Sequence, residues 1–565
     1  MTIQTLLDRL DEAKRGFDSR SVGVLTRVLA QLPRRRFNDA ESLIRYHEVL
    51  LFVRAYPPNA KILKKVEMAL ANFGDLVDAL RDRDIDLTPL EHPEVSGISG
   101  MSVTDTFSYY IVRWLVEMQQ GRLDFYWDWF EDQNRLAETW PRFMPLLEED
   151  AFVEANVPYL DWLRLARGRG SREVAWLIRR FKALPDSETK KAELYDGQKL
   201  YVSWTPPHRA SRTGMKLPVR TIFFHRKPLI QRRDVAFREE LEAPPVPLKR
   251  LSAIQGEAIL DLIRETSTLR YRELYGFTHG DSRRVFKASV GRGVELFILG
   301  VPAERRLPLR AYHAAMIFKN GVPVGYFEGL SLCERMESGF NFYYGFREGE
   351  TAWIYARTLN VFHHLLGVTA FSIDPYQIGF ENEEGIESGA FWFYRKLGFR
   401  PTSRSIATMT EKEESKIHSR SGYRTTAATL RKLAADPMIF ELDQSRKGDW
   451  DRFQVRNIGM AAQRRMATSF KGDAEKIRKV AVATITRAIG LRLPDWRSVE
   501  LTVLQDLAVT LVLIPKLNKW TFDEKQGLIR IIRAKAAADE ARYLKLMQQH
   551  ARLRAGLIAI GSRRS

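Results

Sequence analysis

Apolar residues recur at helical spacing through the first third of the chain. Ile44, Val49, Leu50, Leu51 and Val53 make one stripe, and Ile62, Leu63, Val66, Met68 and Leu70 a second. Residues three and four apart share one face of a helix, so each stripe predicts a helix with a buried side. Pro57 and Pro58 lie between them; proline lacks a backbone N–H and ends the first helix. Further helices are predicted over 107–118 and 174–181. Trp114, Trp127, Trp129, Trp140, Trp162 and Trp176 fall in the same third. Such rings are expected to anchor its core, with base stacking as the alternative.

The period shortens near residue 194. Segments 200–204, 219–224 and 294–299 are short, β-branched and aromatic, as strands are. Pro244, Pro245 and Pro247 mark a hinge, followed by a predicted helix over 253–266. Segment 314–332 reads as a hairpin, because two apolar runs flank Lys319-Asn320-Gly321. Asn-Gly suits a type I′ turn, which needs φ > 0 at both central residues. Next come a strand over 339–344 and a helix from just after Gly349 to about 366, stopped by Gly367. A strand over 368–373 and a helix over 388–397, stopped by Gly398, follow. Hairpin, strand, helix, strand, helix is the order of a layered α/β domain. From about 441 the pattern is helical again. The chain therefore divides into a helical region 1–195, an α/β domain 196–440 and a basic helical region 441–565.

Charge adds a question of partners. The net charge of +19 attracts the phosphates of nucleic acid, nucleotides or anionic lipid, or serves solubility alone. Between 525 and 565 ten Lys and Arg stand against Asp539 and Glu540. This end is expected to bind RNA, to touch a membrane surface, or to be a solvated helix face. No apolar run reaches 18 residues, and no apolar signal segment opens the chain. The single cysteine, Cys333, excludes an internal disulfide and a Cys-rich zinc site. A cytoplasmic protein without a transmembrane segment is the expectation. His-Glu-x-x-His, Walker A and Gly-x-Ser-x-Gly patterns do not occur, so zinc proteolysis, P-loop chemistry and α/β-hydrolase chemistry lack support.

The candidate chemistry lies between 342 and 399. The helix that starts after Gly349 offers N–H groups without internal partners, with the positive end of its dipole behind them. The turn Gly345-Phe346-Arg347-Glu348-Gly349 lets a phosphate approach. Arg347, Gly349 and Thr351 are the candidate phosphate-binding residues. Asn382 follows the next strand, and Tyr394 lies in F-Y-R-K-L-G-F at 393–399.

This order resembles the Gcn5-related N-acetyltransferase (GNAT) superfamily, over about residues 314–402. In that family a hairpin precedes a strand, a phosphate turn and a helix; a strand, an Asn-bearing loop and a helix ending in a Tyr-x-Lys-x-Gly-Phe-like sequence follow. The resemblance implies a mixed sheet of GNAT-like type and transfer of an acyl group from acyl-CoA to an amine. Coenzyme A or acyl-CoA would be the co-substrate, and no metal would be needed. By the same resemblance Tyr394 would protonate the departing thiolate, Asn382 would help hold the pantetheine arm, and the helix start near Gly349 would hold the pyrophosphate. The family's turn, Gln/Arg-x-x-Gly-x-Gly/Ala, is incomplete in both registers: one begins on Phe346 and ends on Thr351, and the other puts Glu350 at the first glycine.

Each candidate has a structural alternative. Glu381, Glu383, Glu384 and Glu387 make loop 374–387 acidic. Glu384 is the candidate base facing a cationic amine, and pairing with arginines is the alternative. Tyr343, Tyr344 and Tyr355 offer competing hydroxyls, Tyr394 also suits a core, and Asn382 also suits a turn cap. His279-Gly280-Asp281 is either an oriented base or a turn. Ser211-Arg212-Thr213 and His225 with Arg232-Arg233-Asp234 suit an anionic substrate or interdomain ion pairs. Two other functions fit the same order of elements. One is a transferase of this fold that uses aminoacyl-tRNA held by the basic C-terminal helices, and the other is a non-catalytic binding or assembly module.

Overall fold

The two apolar stripes of the first third become helices Ala40–Ala55 and Ala60–Ala71. Each begins on a side-chain cap: Asp39 accepts from the Ser42 N–H at 2.7 Å, and Asn59 from the Ile62 N–H at 2.9 Å. The computed structural model describes residues 1–118, 121–143, 159–170 and 172–563. Arg564 of the basic end lies outside them.

Strands β1 (Val103–Asp105), β2 (Arg122–Phe125) and β3 (Val202–Thr205) form a small antiparallel sheet in the order β1-β3-β2. It shares a separate core with Trp114, Trp140, Trp162 and Trp204. The strand at 202–205, read above as the start of the α/β domain, therefore belongs with the segment before it. Segment 219–224 is not a strand. Its neighbourhood is tied to loops instead: Phe223 N–H donates to Asn320 Oδ1 at 2.8 Å, and His225 N–H to the Pro57 carbonyl at 2.9 Å.

The chain is mixed α/β, with a large mixed sheet in the middle. Its nine strands are β4 (Leu248–Arg250), β5 (Val285–Gly291), β6 (Val294–Leu299), β7 (Ala311–Lys319), β8 (Val322–Leu332), β9 (Arg335–Phe342), β10 (Ala370–Ile373), β11 (Arg400–Pro401) and β12 (Met438–Glu441). The order is β11-β12-β10-β9-β8-β7-β6-β5-β4. Asn320 (φ 49°) and Gly321 (φ 82°) make the predicted β7–β8 turn. All nine residues of β7 are buried, as in a strand covered on both faces. Among the described residues β9 and β10 are the one parallel pair, joined by helix Thr351–Leu366, which Gly367 ends at φ 74°. β9 runs over 335–342 rather than 339–344. The helix predicted over 388–397 is Ala390–Lys396, and the loop before it holds a short helix not predicted, Glu383–Glu387, with Gly389 between the two at φ 66°. Six helices of eight residues or more follow between Val455 and Gly561. Gln548 joins them to the sheet by donating to the carbonyls of Cys333 and Leu366, at 3.0 and 2.9 Å. Among the described residues no helix is long and apolar enough to cross a membrane.

A buried ionic cluster ties the first third to the large sheet. The Glu350 carboxylate is fully buried, is ion-paired with Arg292, and lies 3.4 Å from Lys319 Nζ. Lys319 also donates to the Arg292 carbonyl at 2.5 Å and lies over the Tyr56 ring. His225 packs on Tyr56 and Phe17 beside this cluster. Burial, reinforced by Lys319, pushes the His225 pKa down to about 3. In the unfolded chain the imidazole titrates at its ordinary 6.5. The stability this provides is complete above that pH and is lost as pH falls towards 3, because only the unfolded state takes up the proton. Thermal unfolding is expected to show a progressive fall in Tm over this window, and His225→Phe should flatten it.

Candidate active-site cleft

β9 and β10 pair over three residues only, Arg335–Ala370, Met336–Phe371 and Glu337–Ser372. From Ser338 to Phe342, β9 pairs with β8 alone. β10 ends at Ile373, where its partner is β12. The two parallel strands therefore part, and a cleft of about 240 Å³ opens where they do. Phe340, Phe342 and Phe393 line it with apolar surface, and Asn341, Gln377 and Ser388 add polar atoms.

Five of the six candidate residues line this cleft: Arg347, Thr351, Asn382, Glu384 and Tyr394. Gly349 does not. A Cβ there would sit 2.3 Å from the Tyr56 hydroxyl, so this glycine allows the turn to pack on helix Ala40–Ala55. Gly349→Ala is expected to cost roughly 1–3 kcal/mol of stability by overpacking. Chemical denaturation measures it, and ligand affinity at the cleft should stay unchanged.

Tyr394 is 3% exposed and packs edge-on against Tyr355 and Phe399. Its hydroxyl makes no hydrogen bond among the described residues. Burial pushes its pKa up, so the phenol keeps its proton at neutral pH. The competing tyrosines are otherwise placed. The Tyr355 hydroxyl is 2.9 Å from Ser338 Oγ. Tyr343 lies under the Arg270 guanidinium, and Tyr344 is 62% exposed.

Arg347 donates to the Phe342 carbonyl at 3.2 Å and is ion-paired with Glu384. Glu384 also lies 3.8 Å from Arg272, and Glu383 is paired with Arg431 at 2.8 Å. These pairs are the structural alternative that the acidic loop offered. Asn382 caps helix Glu383–Glu387: its Oδ1 accepts from the Gly385 N–H at 3.3 Å, and its Nδ2 donates to the Tyr376 carbonyl at 2.9 Å. It thus orders one wall of the cleft.

The two acids that sequence places beside the phosphate turn both point away from the cleft. Glu348 is paired with Lys14 and Arg15, at 2.5 and 3.1 Å, and Glu350 with Arg292 and Lys319. Thr351, the first residue of helix Thr351–Leu366, lines the cleft, and its hydroxyl donates to the Arg347 carbonyl at 3.1 Å. Among the described residues no side chain caps this helix start. A positive helix end, one arginine and an apolar slot are the donor set for an anion on a flexible chain. The residues present fit a phosphorylated, pantetheine-like arm.

The chain matches no family model, no curated protein and no solved structure. The other candidate clusters do not converge on the cleft. His279 meets Tyr110 and Tyr275, while Asp281 is paired with Arg283 and Arg284. Arg212 is buried and paired with Glu48 at 2.8 Å, and Thr213 Oγ1 lies 3.0 Å from His47 Nε2. Both therefore join the first third to the segment near 210. Phe340, Asn341 and Gln377 were not legible as site residues. Only the early end of β10 exposes them, and strand length in space has no local signature.

Proposed function

We propose that the protein is an acyltransferase of GNAT-like type, which moves an acyl group from acyl-CoA to an amine at this cleft. The observation that carries the reading is the parting of β9 and β10 beside an uncapped helix start. An acyl thioester brings an activated carbonyl and a thiolate leaving group. Arg347 and the first turn of helix Thr351–Leu366 would bind the phosphates. Phe340, Phe342 and Phe393 would enclose the arm and exclude water. Tyr394, a buried and protonated phenol, would supply the proton that the leaving thiolate needs. Glu384, at the rim, would attract a cationic acceptor. Holding donor and acceptor together contributes several kcal/mol, on the order of 7–11 in well-oriented systems.

A second reading, a non-catalytic binding module, is favoured by one observation: Arg347 is already paired with Glu384. A transfer assay with acetyl-CoA and a panel of primary amines separates the two. Release of free thiol that depends on an added amine supports the enzyme. Cofactor binding without turnover on any amine supports the module.

A further inference from the structure

The positive charge of the C-terminal region is unevenly neutralised. In segment 525–565, Arg533 faces Glu500, Arg552 faces Glu524, and Arg554 faces Glu334 and Asp449. Lys535 is buried against Glu540. Four of the ten cations of the basic end, Arg533, Lys535, Arg552 and Arg554, are thus committed to packing. The sheet-side arginines Arg272, Arg292, Arg347, Arg395 and Arg400 are paired as well.

Arg530, Arg542, Lys545 and Arg563 are exposed and make no ion pair among the described residues, and helices Val455–Phe470 and Ala474–Ile489 carry more such cations, in a regular line. Arg464, Lys471, Lys476, Arg478, Lys479 and Arg487 are all exposed, and none makes an ion pair among the described residues. The acids of the two helices and their turn are Asp473 and Glu475. Asp473 is engaged as a cap, accepting from the Lys476 N–H at 2.9 Å. On helix Ala474–Ile489 the buried residues are Ile477, Ala481, Ile485 and Ile489. Lys476, Lys479 and Arg487 fall on the opposite side at i, i+3 and i+11, a line about 16 Å long at 1.5 Å per residue. Val480, Ala483 and Thr484 lie between them, and the one carboxylate of the helix, Glu475, stands a turn before Lys479 at the edge of that face.

We propose that these two helices dock the phosphate backbone of an RNA. A solvent-facing line of unpaired cations is complementary to a line of phosphates, and releasing condensed counterions drives the association. An anionic membrane fits less well, because docking on lipid needs a broad apolar face. The large apolar side chains exposed on these helices are Met460 and Val480 alone. Recognition through backbone and shape is how structured RNA is commonly held. This inference does not depend on the chemistry of the cleft.

The test uses the full chain and fluorescence anisotropy with a deacylated transfer-RNA mixture. Duplex DNA and phosphatidylserine vesicles are the comparison probes. Three neutralised phosphates predict a log–log salt slope of about −2 to −3. Replacing Lys476→Gln, Lys479→Gln and Arg487→Gln together should remove most of that slope and weaken binding by about tenfold or more. The triple Arg530→Gln, Arg542→Gln and Lys545→Gln removes the same charge from segment 525–565 and should change affinity by less than about twofold. Circular dichroism checks that both variants are folded. Equal losses from the two triples, absence of RNA binding, or binding to duplex DNA or vesicles at least as tight as to RNA would each overturn the proposal.

Discussion

Tyr394→Phe is expected to lower kcat for acyl transfer by about 10²-fold or more, the usual scale of a lost general acid, and to leave the fold intact. The substitution keeps the ring that packs on Tyr355 and Phe399. It deletes only a hydroxyl that bonds to nothing among the described residues. No partner is left unsatisfied, so the melting temperature should hold. KM for the acyl donor should change little, because a proton delivered to the leaving group matters in the transition state. Steady-state kinetics and a melting curve on the same preparation check both halves. Unchanged kcat with unchanged Tm would remove Tyr394 from the chemistry and leave it as a core residue.

The second large effect is structural. Glu350→Gln should destabilise the protein by about 3–5 kcal/mol, because it leaves Lys319 buried without its counter-charge. Both side chains are fully buried, and Arg292 joins them from the β5–β6 turn. Glu350 also accepts from the Ile230 N–H at 3.2 Å, and its own N–H donates to the Tyr56 hydroxyl at 3.4 Å. It thus holds the start of helix Thr351–Leu366 against the first third of the chain. Replacing the pair together, Lys319→Met with Glu350→Gln, should recover part of the loss, since no uncompensated lysine remains. Urea unfolding of the two variants measures the difference. A single variant as stable as the parent would mean that the cluster contributes little.

The pattern of elements was legible where local chemistry decides. Asn320-Gly321 and Gly367 adopt the positive φ angles that their neighbours require, and both could be read from a few residues. Five of the six candidate residues, distant in sequence, come together on one cleft. What failed was non-local. Segment 219–224 has strand composition, yet its Phe223 N–H meets the Asn320 side chain, and just beyond it the His225 N–H meets the Pro57 carbonyl. Strand β12, from beyond the predicted layers, inserts between β10 and β11. Gly349 owes its place to Tyr56, nearly three hundred residues earlier in the chain. Glu348 and Glu350 look unfavourable for a phosphate site until their partners Lys14, Arg15, Arg292 and Lys319 are seen. The unpaired cations of Ala474–Ile489 were overlooked for a related reason: sequence counts charges, but only packing shows which are neutralised.

The central claim is that the gap between β9 and β10 receives the arm of an acyl-CoA. Isothermal calorimetry with acetyl-CoA tests it directly, comparing the parent with Ser388→Trp. Ser388 is exposed and lines the cleft, so the indole can fill the gap without entering the core. The account predicts one-to-one binding to the parent and loss of that binding in the variant, with an unchanged melting temperature. Equal binding to both proteins, or no binding to the parent, would contradict it.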